Sequence, residues 1–150
     1  MWTLTHNITI ENKKALFDYE IIEEFEAGIV LIGSEVKSIR NGLANLKWAY
    51  ITLHSWRPVL VGSHISEYSN NTGTITNPKR ERWILMSKKE IFRLSQKVKE
   101  MGASLIPVSI YQKWNLFKVR VALAKWRKKW EKKNLLKERD LDRENREKMW

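Results

Sequence analysis

Short segments in which apolar and polar residues alternate constrain the fold of this 150-residue chain more than any other feature. The clearest runs from Phe117 to Leu123, with Lys118 and Arg120 between apolar residues. Such alternation is typical of a strand with one face in the core and the other in water. Further strand patterns lie at 17–21, 29–32, 50–53, 59–61 and 105–111. Without a regular strand-helix-strand order, they predict a mainly β fold, an antiparallel barrel with flanking helices.

One long helix is predicted after the middle of the chain. Ser87 is followed three residues later by Glu90, which is a capping box, and Gly102 provides the stop. Residues 67–82 are rich in Ser, Asn, Thr, Gly and Pro, and they predict a loop before this helix.

A shorter helix is predicted earlier, between a Ser34 cap and a stop at Gly42. Helical spacing places Lys37 and Arg40 on one face of it. The sequence therefore predicts a basic ridge at this helix.

The last part of the chain differs from the rest. Residues 125–150 contain no Gly or Pro, and their apolar residues form no continuous stripe. Such a segment gains little from burial and cannot offset the cost of helix nucleation. We predict a folded RNA-binding domain at 1–124 and a basic tail at 125–150 that is disordered alone and becomes helical on a partner.

The net charge of the chain indicates which class of molecule it binds. The chain has 28 Lys and Arg against 17 Asp and Glu, a net charge of +11 and a pI near 9.9. Such a balance favours nucleic acid, since contacts to phosphates release counterions. The alternative is that the charge only confers solubility. Charge alone does not separate DNA from RNA.

Composition also excludes several classes of site. The chain has no cysteine, which excludes thiol catalysis and thiolate metal sites and fits a reducing, cytoplasmic compartment. The longest apolar run, Ile29–Ile32, is too short to cross a bilayer, and we expect neither export nor a membrane partner. His6, His54 and His64 lack metal-site spacing, and no phosphate-binding glycine loop occurs. We expect no cofactor, no metal and no enzymatic activity.

Basic residues mixed with aromatic rings and amides favour RNA in particular. Cations neutralise phosphates, amides such as Asn12 and Asn45 reach base edges or 2′-hydroxyls, and rings stack on unpaired bases. The mixture recurs at 12–14, 37–40, 77–82 and 125–133. Most of the eight tryptophans are expected to pack on strands, whereas Trp130 lies in a basic run without a core.

Several motifs resemble one known family. Asn12-Lys13-Lys14-Ala15, Glu26-Ala27-Gly28 and Gly33-Ser34-Glu35-Val36-Lys37-Ser38-Ile39-Arg40 are similar to the SsrA-binding protein family, also called small protein B. The similarity continues to Arg143-Glu144 and covers nearly everything after Glu11. The resemblance implies an oligonucleotide-binding-type barrel that binds the tRNA-like part of transfer-messenger RNA. It also implies delivery of that RNA to stalled ribosomes for trans-translation, with one copy of the protein per RNA.

The resemblance and the basic pattern together give the expected RNA-binding residues. They are Asn12, Lys13, Lys14, Glu26, Gly28, Lys37, Arg40, Asn45, Arg80, Arg82, Leu85, Lys118 and Lys125. Glu26 is unusual, because a carboxylate repels RNA unless it accepts hydrogen bonds from base amino groups or orients a cation. A salt bridge at the barrel edge is the alternative role for Glu26.

The resemblance further implies that the tail enters the empty mRNA channel near the decoding centre of the small ribosomal subunit. The expected ribosome-binding residues are Lys128, Lys129, Trp130, Lys132, Lys133, Lys137, Arg139 and Arg143. The tail departs from the family at Trp126, Glu131 and Lys133, where the family has glycine, aspartate and arginine. Trp83 also replaces a residue that is more often basic, and no role is assigned to it.

Two other functions stay open at this point. One is a general single-stranded RNA-binding or ribosome-associated barrel protein, for which charge and fold would be the same. The other is a metal-dependent RNA-processing enzyme that uses the carboxylates between Glu20 and Glu26.

Overall fold

In the computed structural model, residues 8–54, 56–67 and 77–149 are described. Nine strands and four helices lie in these ranges. The strands are β1 (Thr9–Glu11), β2 (Tyr19–Ile29), β3 (Ala44–Asn45), β4 (Tyr50–His54), β5 (Arg57–Val61), β6 (His64–Ile65), β7 (Arg82–Leu85), β8 (Ser104–Lys113) and β9 (Leu116–Trp126). The helices are α1 (Lys13–Asp18), α2 (Gly33–Arg40), α3 (Lys88–Met101) and α4 (Lys129–Lys148).

Six antiparallel strands close into a barrel. Their order is β8-β4-β5-β7-β2-β9, and β9 pairs with β8 to complete the ring. Strand β1 extends β8, while β3 and β6 form a separate small sheet. Closure removes the exposed strand edges of an open sheet. The predicted mainly β fold, an antiparallel barrel with flanking helices, is confirmed.

The barrel interior holds the main hydrophobic core. Leu60, Ile110, Val119, Val121 and Leu123 are each completely buried in it. The predicted alternation in 117–123 places Val119 and Val121 inside, while Lys118 and Arg120 face outward. Full burial of one such side chain contributes about 1.5–3 kcal/mol relative to exposure.

Strands β8 and β9 are covered on their second face as well. Helix α1 packs Ala15 against Ile106, Val108, Ala122 and Ala124, which form a second core cluster. This explains the nearly continuous apolar run in 105–110, since a strand with two covered faces needs no alternation.

The predictions for the two helices and for the strands at 50–53 and 59–61 are confirmed with small changes. Ser87 Oγ accepts a hydrogen bond from Glu90 N at 3.3 Å, and Gly102 ends α3 with a φ of +59°. Helix α2 begins at Gly33 without a Ser34 cap, since the Glu35 side chain accepts the hydrogen bond from Ile32 N instead. Strands β4 and β5 match the strand patterns at 50–53 and 59–61, and they pair as a hairpin.

Two strand predictions near the N-terminus are only partly right. The alternation of Phe17, Tyr19 and Ile21 predicted one strand, and Tyr19 and Ile21 do lie in β2, but Phe17 belongs to α1. The Asn12 side chain caps that helix by accepting from Ala15 N at 3.2 Å, which competes with extended structure. The second predicted strand at 29–32 is not a separate strand, because β2 is one 11-residue strand that ends at Ile29.

The last strand continues two residues past the predicted end of the folded part. Tyr19 pairs with Trp126, and Asp18 O accepts a hydrogen bond from Arg127 N at 2.8 Å. Helix α4 follows from Lys129 and buries none of its residues. Disorder of this segment in the free chain stays a prediction. Among the described residues, no helix is long and apolar enough to cross a membrane.

Candidate nucleic-acid interface

Four of the predicted RNA-binding residues lie side by side on the outside of the barrel. Gly28 of β2 pairs with Lys118 of β9 on one side and with Leu85 of β7 on the other. Glu26 lies two positions before Gly28 and therefore on the same face of β2. Leu85 is 60 % exposed although it is a large apolar residue. We call Glu26, Gly28, Leu85 and Lys118 the outer strip.

Gly28 makes the centre of the outer strip flat. A Cβ atom built on Gly28 would lie 3.2 Å from the Cβ of Leu85, which is closer than carbons normally approach. With glycine at this position, the Leu85 side chain lies across β2 without a clash. Glycine in a strand often marks such a close approach, and it leaves the backbone accessible to a ligand.

Glu26 is held by two residues of β8. Its carboxylate accepts hydrogen bonds from the Tyr111 hydroxyl and from Lys113 Nζ, the latter at 3.1 Å. These two bonds lower the pKa of Glu26, which therefore stays ionised. The salt bridge at the barrel edge is thus present, and Glu26 orients a cation beside the outer strip.

Tyr111 links the two sides of this arrangement. Burial and the hydrogen bond to Glu26 raise the pKa of Tyr111 to about 12, so its hydroxyl remains a donor at neutral pH. Tyr111 pairs with Lys118 across β8 and β9, and the Arg120 guanidinium lies 5.6 Å from the Tyr111 ring centroid. Lys113, Lys118 and Arg120 therefore surround Glu26 with positive charge.

Tyr111, Lys113 and Arg120 were missed from the sequence as site residues. The alternation in 117–123 indicated that Arg120 faces outward with Lys118. Its proximity to Glu26 depends on the pairing of β9 with β2, about ninety residues earlier in the chain. The two-residue connection between β8 and β9 was the local signal that could have placed Tyr111 opposite Lys118.

The structure places Asn12 in the interior instead of at a surface that RNA could reach. Asn12 is 3 % exposed. Its amide donates to Pro107 O at 2.9 Å, while its oxygen caps α1. Lys13 next to it is exposed, and Lys14 is half-buried, with its ammonium 3.5 Å from Asp18 and 5.4 Å from the Trp48 ring centroid.

Arg82 is also internal, which corrects its prediction as an RNA contact. It is completely buried, and its guanidinium donates to Glu35, Ser63 and Pro78. Burial lowers the pKa of Arg82. The cation run in 79–82 looked like one exposed surface in the sequence, but β7 turns Arg82 inward toward α2.

Glu35 is the acidic partner at the centre of this buried cluster. Burial alone would raise the pKa of Glu35, but hydrogen bonds from Arg80, Ile32 N and Arg82 outweigh that effect and lower the pKa. Arg80 contacts Glu35 at 2.5 Å and remains half-buried. Arg80 thus contributes mainly to the attachment of α2, with only part of its side chain at the surface.

Four further predicted residues are exposed on other elements. Lys37 and Arg40 lie on the solvent side of α2, as the helical spacing predicted. Asn45 follows in β3, where its side-chain oxygen accepts from Lys47 N at 2.8 Å. Lys125 is exposed near the end of β9. Their contact with RNA stays a prediction.

Three of the four acidic residues of β2, Glu23, Glu24 and Glu26, are paired with cations. Glu23 contacts Arg93 at 3.0 Å and Lys97 at 2.5 Å, and the hydrogen bond from Lys97 is the main cause of a lowered pKa. Glu24 lies 3.7 Å from Arg120. Among the described residues, no three acidic or histidine side chains form a metal-binding group.

The predicted ribosome-binding residues lie on α4 or immediately before it. Lys132 is the most enclosed of them, with its ammonium 3.1 Å from Asp18 and 3.8 Å from the centroid of the Trp126 ring. The Arg139 guanidinium lies 5.5 Å from the Phe17 ring. The exposed members of the set are Lys128, Lys129, Trp130, Lys133, Lys137, Arg139 and Arg143.

Comparison with known proteins now defines the family. The chain matches the family described as SmpB protein over residues 9–150. The chain belongs to the SmpB protein family. This match includes both the outer strip and helix α4.

Individual SmpB relatives are similar along nearly their whole length. The SsrA-binding protein of Sulfurihydrogenibium sp. (strain YO3AOP1) is 42 % identical over 141 residues, which cover 94 % of this chain and 93 % of the relative. The SsrA-binding protein of Chlorobaculum tepidum is 42 % identical over 136 residues, which cover 90 % of this chain and 87 % of the relative.

A solved structure described as "tmRNA-SmpB: a journey to the center of the bacterial ribosome" has a similar fold. Its chain aligns with a TM-score of 0.68 and 35 % identity, over 81 % of this chain and 86 % of that one. The oligonucleotide-binding-type barrel implied by the sequence resemblance agrees with this similarity.

Proposed function

We propose that this SmpB family member binds transfer-messenger RNA, also called SsrA RNA, through its tRNA-like part. It then brings the RNA to ribosomes stalled without a stop codon, where trans-translation tags the unfinished product. The observation that carries the proposal is the outer strip in a chain of this family. It places Gly28 without a side chain, an exposed Leu85, a cation and an oriented carboxylate on one barrel face. The names of the relatives support the identity of the RNA.

Each residue of the outer strip has a suitable role against RNA. Leu85 offers an apolar surface to a base or a ribose, while Lys118 neutralises a phosphate. Glu26 accepts hydrogen bonds from base amino groups and keeps Lys113 in place. This combination supplies shape and specificity, whereas the cations supply most of the affinity.

The distribution of charge supports RNA binding that does not depend on α4. Helix α4 contains eight Lys and Arg and six Asp and Glu, which is a net charge of +2. The remaining +9 of the +11 therefore lies outside α4. Because phosphate contacts dominate affinity, removal of α4 should leave most of the RNA binding intact.

Helix α4 is then available for the ribosome. It buries no residue in the chain itself, and its exposed cations and Trp130 can contact ribosomal RNA. We propose that it enters the empty mRNA channel near the decoding centre. The absence of mRNA would be sensed through steric fit, since a channel filled by mRNA leaves no room for the helix.

We further propose that the protein acts in the cytoplasm, as one copy per RNA, and performs no covalent chemistry. The carboxylates Glu23, Glu24 and Glu26 are each within 4 Å of a cation. Such pairing supports a role in electrostatic orientation and not in metal-dependent cleavage. Trans-translation itself requires only binding and delivery from this partner.

A reconstituted rescue assay with two chains tests the division of roles. The intact chain is compared with a truncation after Lys128, which retains all of β9. We expect both to bind transfer-messenger RNA selectively over elongator tRNA, and only the intact chain to rescue stalled ribosomes. Equal binding of both RNAs would instead support the general RNA-binding alternative. Metal-dependent cleavage that is lost in Glu23→Gln would support the enzyme alternative.

A further inference from the structure

Three tryptophans occupy left-handed backbone positions. Their φ values are +67° at Trp48, +66° at Trp56 and +59° at Trp114. Within residues 8–54, 56–67 and 77–149, every other residue with a positive φ is a glycine. An L-residue in this region brings its Cβ close to the following carbonyl oxygen, and bulky side chains rarely adopt it. Asn and Asp are the usual exceptions, and none of the three positions holds either.

The three positions lie in turns that normally contain glycine. His54 pairs with Arg57, so Trp56 lies in a two-residue hairpin loop. Trp114 lies in another, because Lys113 pairs with Leu116. Two-residue hairpins use primed turns, whose positive-φ positions are commonly taken by glycine. Trp48 lies in the turn between β3 and β4.

The indole side chains gain little packing in return. Trp48 is 64 % exposed, Trp56 is 63 % exposed and Trp114 is 90 % exposed. The ammonium groups of Lys14 and Lys47 lie near the Trp48 ring, and Trp56 stacks on the exposed Phe92. Buried tryptophan can offset a strained backbone through its large contact area, but these three cannot.

The composition of the chain also suggests that tryptophan stands where glycine is expected. The chain has eight tryptophans and only six glycines. Glycine averages about 7 % of soluble proteins, or about ten residues in a chain of this length. The chain is therefore rich in tryptophan and poor in glycine, and three of its tryptophans adopt a backbone conformation that favours glycine.

We propose that positions 48, 56 and 114 are encoded by UGA and are glycine in the protein that the source cell makes. UGA is a stop codon in the common genetic code, but some bacteria read it as tryptophan and others as glycine. The reading as glycine accounts for the backbone, the exposure and the composition at once. Glycine at these positions would relieve the backbone strain in three turns. It would also remove three exposed indole side chains from the surface.

The proposal bears on the junction before α4. Lys132 lies over the Trp126 ring, and Tyr19 packs edge-on against it with ring centroids 5.0 Å apart. If position 126 has the same codon, both contacts are absent and the junction has the freedom of glycine. The codon at this position thus decides how firmly the start of α4 is held.

The gene and the native protein provide the direct test. Peptides spanning positions 48, 56 and 114 are measured by mass spectrometry in protein purified from the source cell. We expect UGA codons, and peptide masses lower by the difference between tryptophan and glycine. UGG codons, or tryptophan masses at these positions, would overturn the proposal.

Recombinant variants of the tryptophan-containing chain test the backbone argument separately. W48G, W56G and W114G should each raise the thermal midpoint, by about 2–4 °C for each kcal/mol gained. The matched control is W83G in strand β7, where glycine weakens the strand and should lower the midpoint. A lower midpoint in all four variants would contradict the argument. Neither test depends on RNA binding.

Discussion

The ammonium group of Lys132 lies 3.1 Å from the carboxylate of Asp18, and this ion pair joins the first turn of helix α4 to helix α1. The side chain of Asp18 is only 5 % exposed and that of Lys132 is 20 % exposed. The pair is therefore screened less than a surface salt bridge. Together with the hydrogen bond from Arg127 N to Asp18 O, it holds the start of α4 against the barrel.

Replacement of Asp18 by Asn should release this first turn. We expect D18N to speed amide exchange in 129–133 and to lower the free energy of unfolding by about 1–2 kcal/mol, since Lys132 loses a charged hydrogen-bond partner. The control is E24Q, whose carboxylate is exposed and 3.7 Å from Arg120. Unchanged exchange in D18N would show that the ion pair does not hold the turn.

Helix α4 beyond this turn should open readily in the free chain. None of its residues is buried, so tertiary packing adds little to its stability. We expect fast amide exchange in 135–148 of the free protein and slow exchange when the ribosome is bound. Slow exchange in the free protein would contradict the predicted disorder of the tail.

The flat centre of the outer strip predicts a selective defect for Gly28→Ala. The added Cβ would displace the Leu85 side chain from its place across β2. We expect RNA affinity to fall about tenfold, which is about 1.4 kcal/mol, with the fold retained. Gly33→Ala is the matched control, because a Cβ there would meet no described part of the chain within 4 Å beyond its neighbours and its own helix. Equal affinity of both variants would remove Gly28 from the site.

The buried pair of Arg82 and Glu35 predicts a large effect on stability. Arg82→Met leaves the Glu35 carboxylate buried with fewer donors, which should lower the free energy of unfolding by about 3–5 kcal/mol. Denaturant titration measures this change. The control is R57M, which removes an exposed arginine. A loss as small as in R57M would show that Arg82 is not the internal partner of Glu35.

The lowered pKa of Glu35 also gives a pH dependence. A carboxyl whose pKa is lower in the folded state stabilises the fold above its unfolded pKa near 4.5, and this stability is lost as the pH falls toward the folded value. We expect the difference in unfolding free energy between the unsubstituted chain and E35Q to shrink below pH 4.5. Denaturant titrations at several pH values measure it. If this difference in unfolding free energy did not change with pH, the pKa of Glu35 would not be lowered in the folded state.

Local patterns predicted the elements whose signals are local. Ser87, Glu90 and Gly102 marked the limits of α3, and the alternation around Lys118 identified the outward face of β9. The family resemblance placed Glu26, Gly28 and Leu85 at one site before any register was known. Their adjacency in the barrel agrees with that expectation.

The errors arose where a distant partner decides the environment of a residue. Arg82 looked like part of an exposed cation run, but its burial depends on Glu35, 47 positions away. Asn12 looked like an amide for base contacts, whereas it donates to Pro107, 95 positions away. Tertiary pairing of this kind leaves no periodic signal in the sequence, and it overrides the local preference of a polar residue for the surface.

Competition between two RNAs tests the central claim most directly. The intact chain is bound to labelled transfer-messenger RNA at several salt concentrations, with elongator tRNA as the competitor. We predict that elongator tRNA displaces the labelled RNA only at a large excess, and that this preference persists as salt weakens both complexes. Displacement at equal concentrations of the two RNAs would contradict the assignment to transfer-messenger RNA.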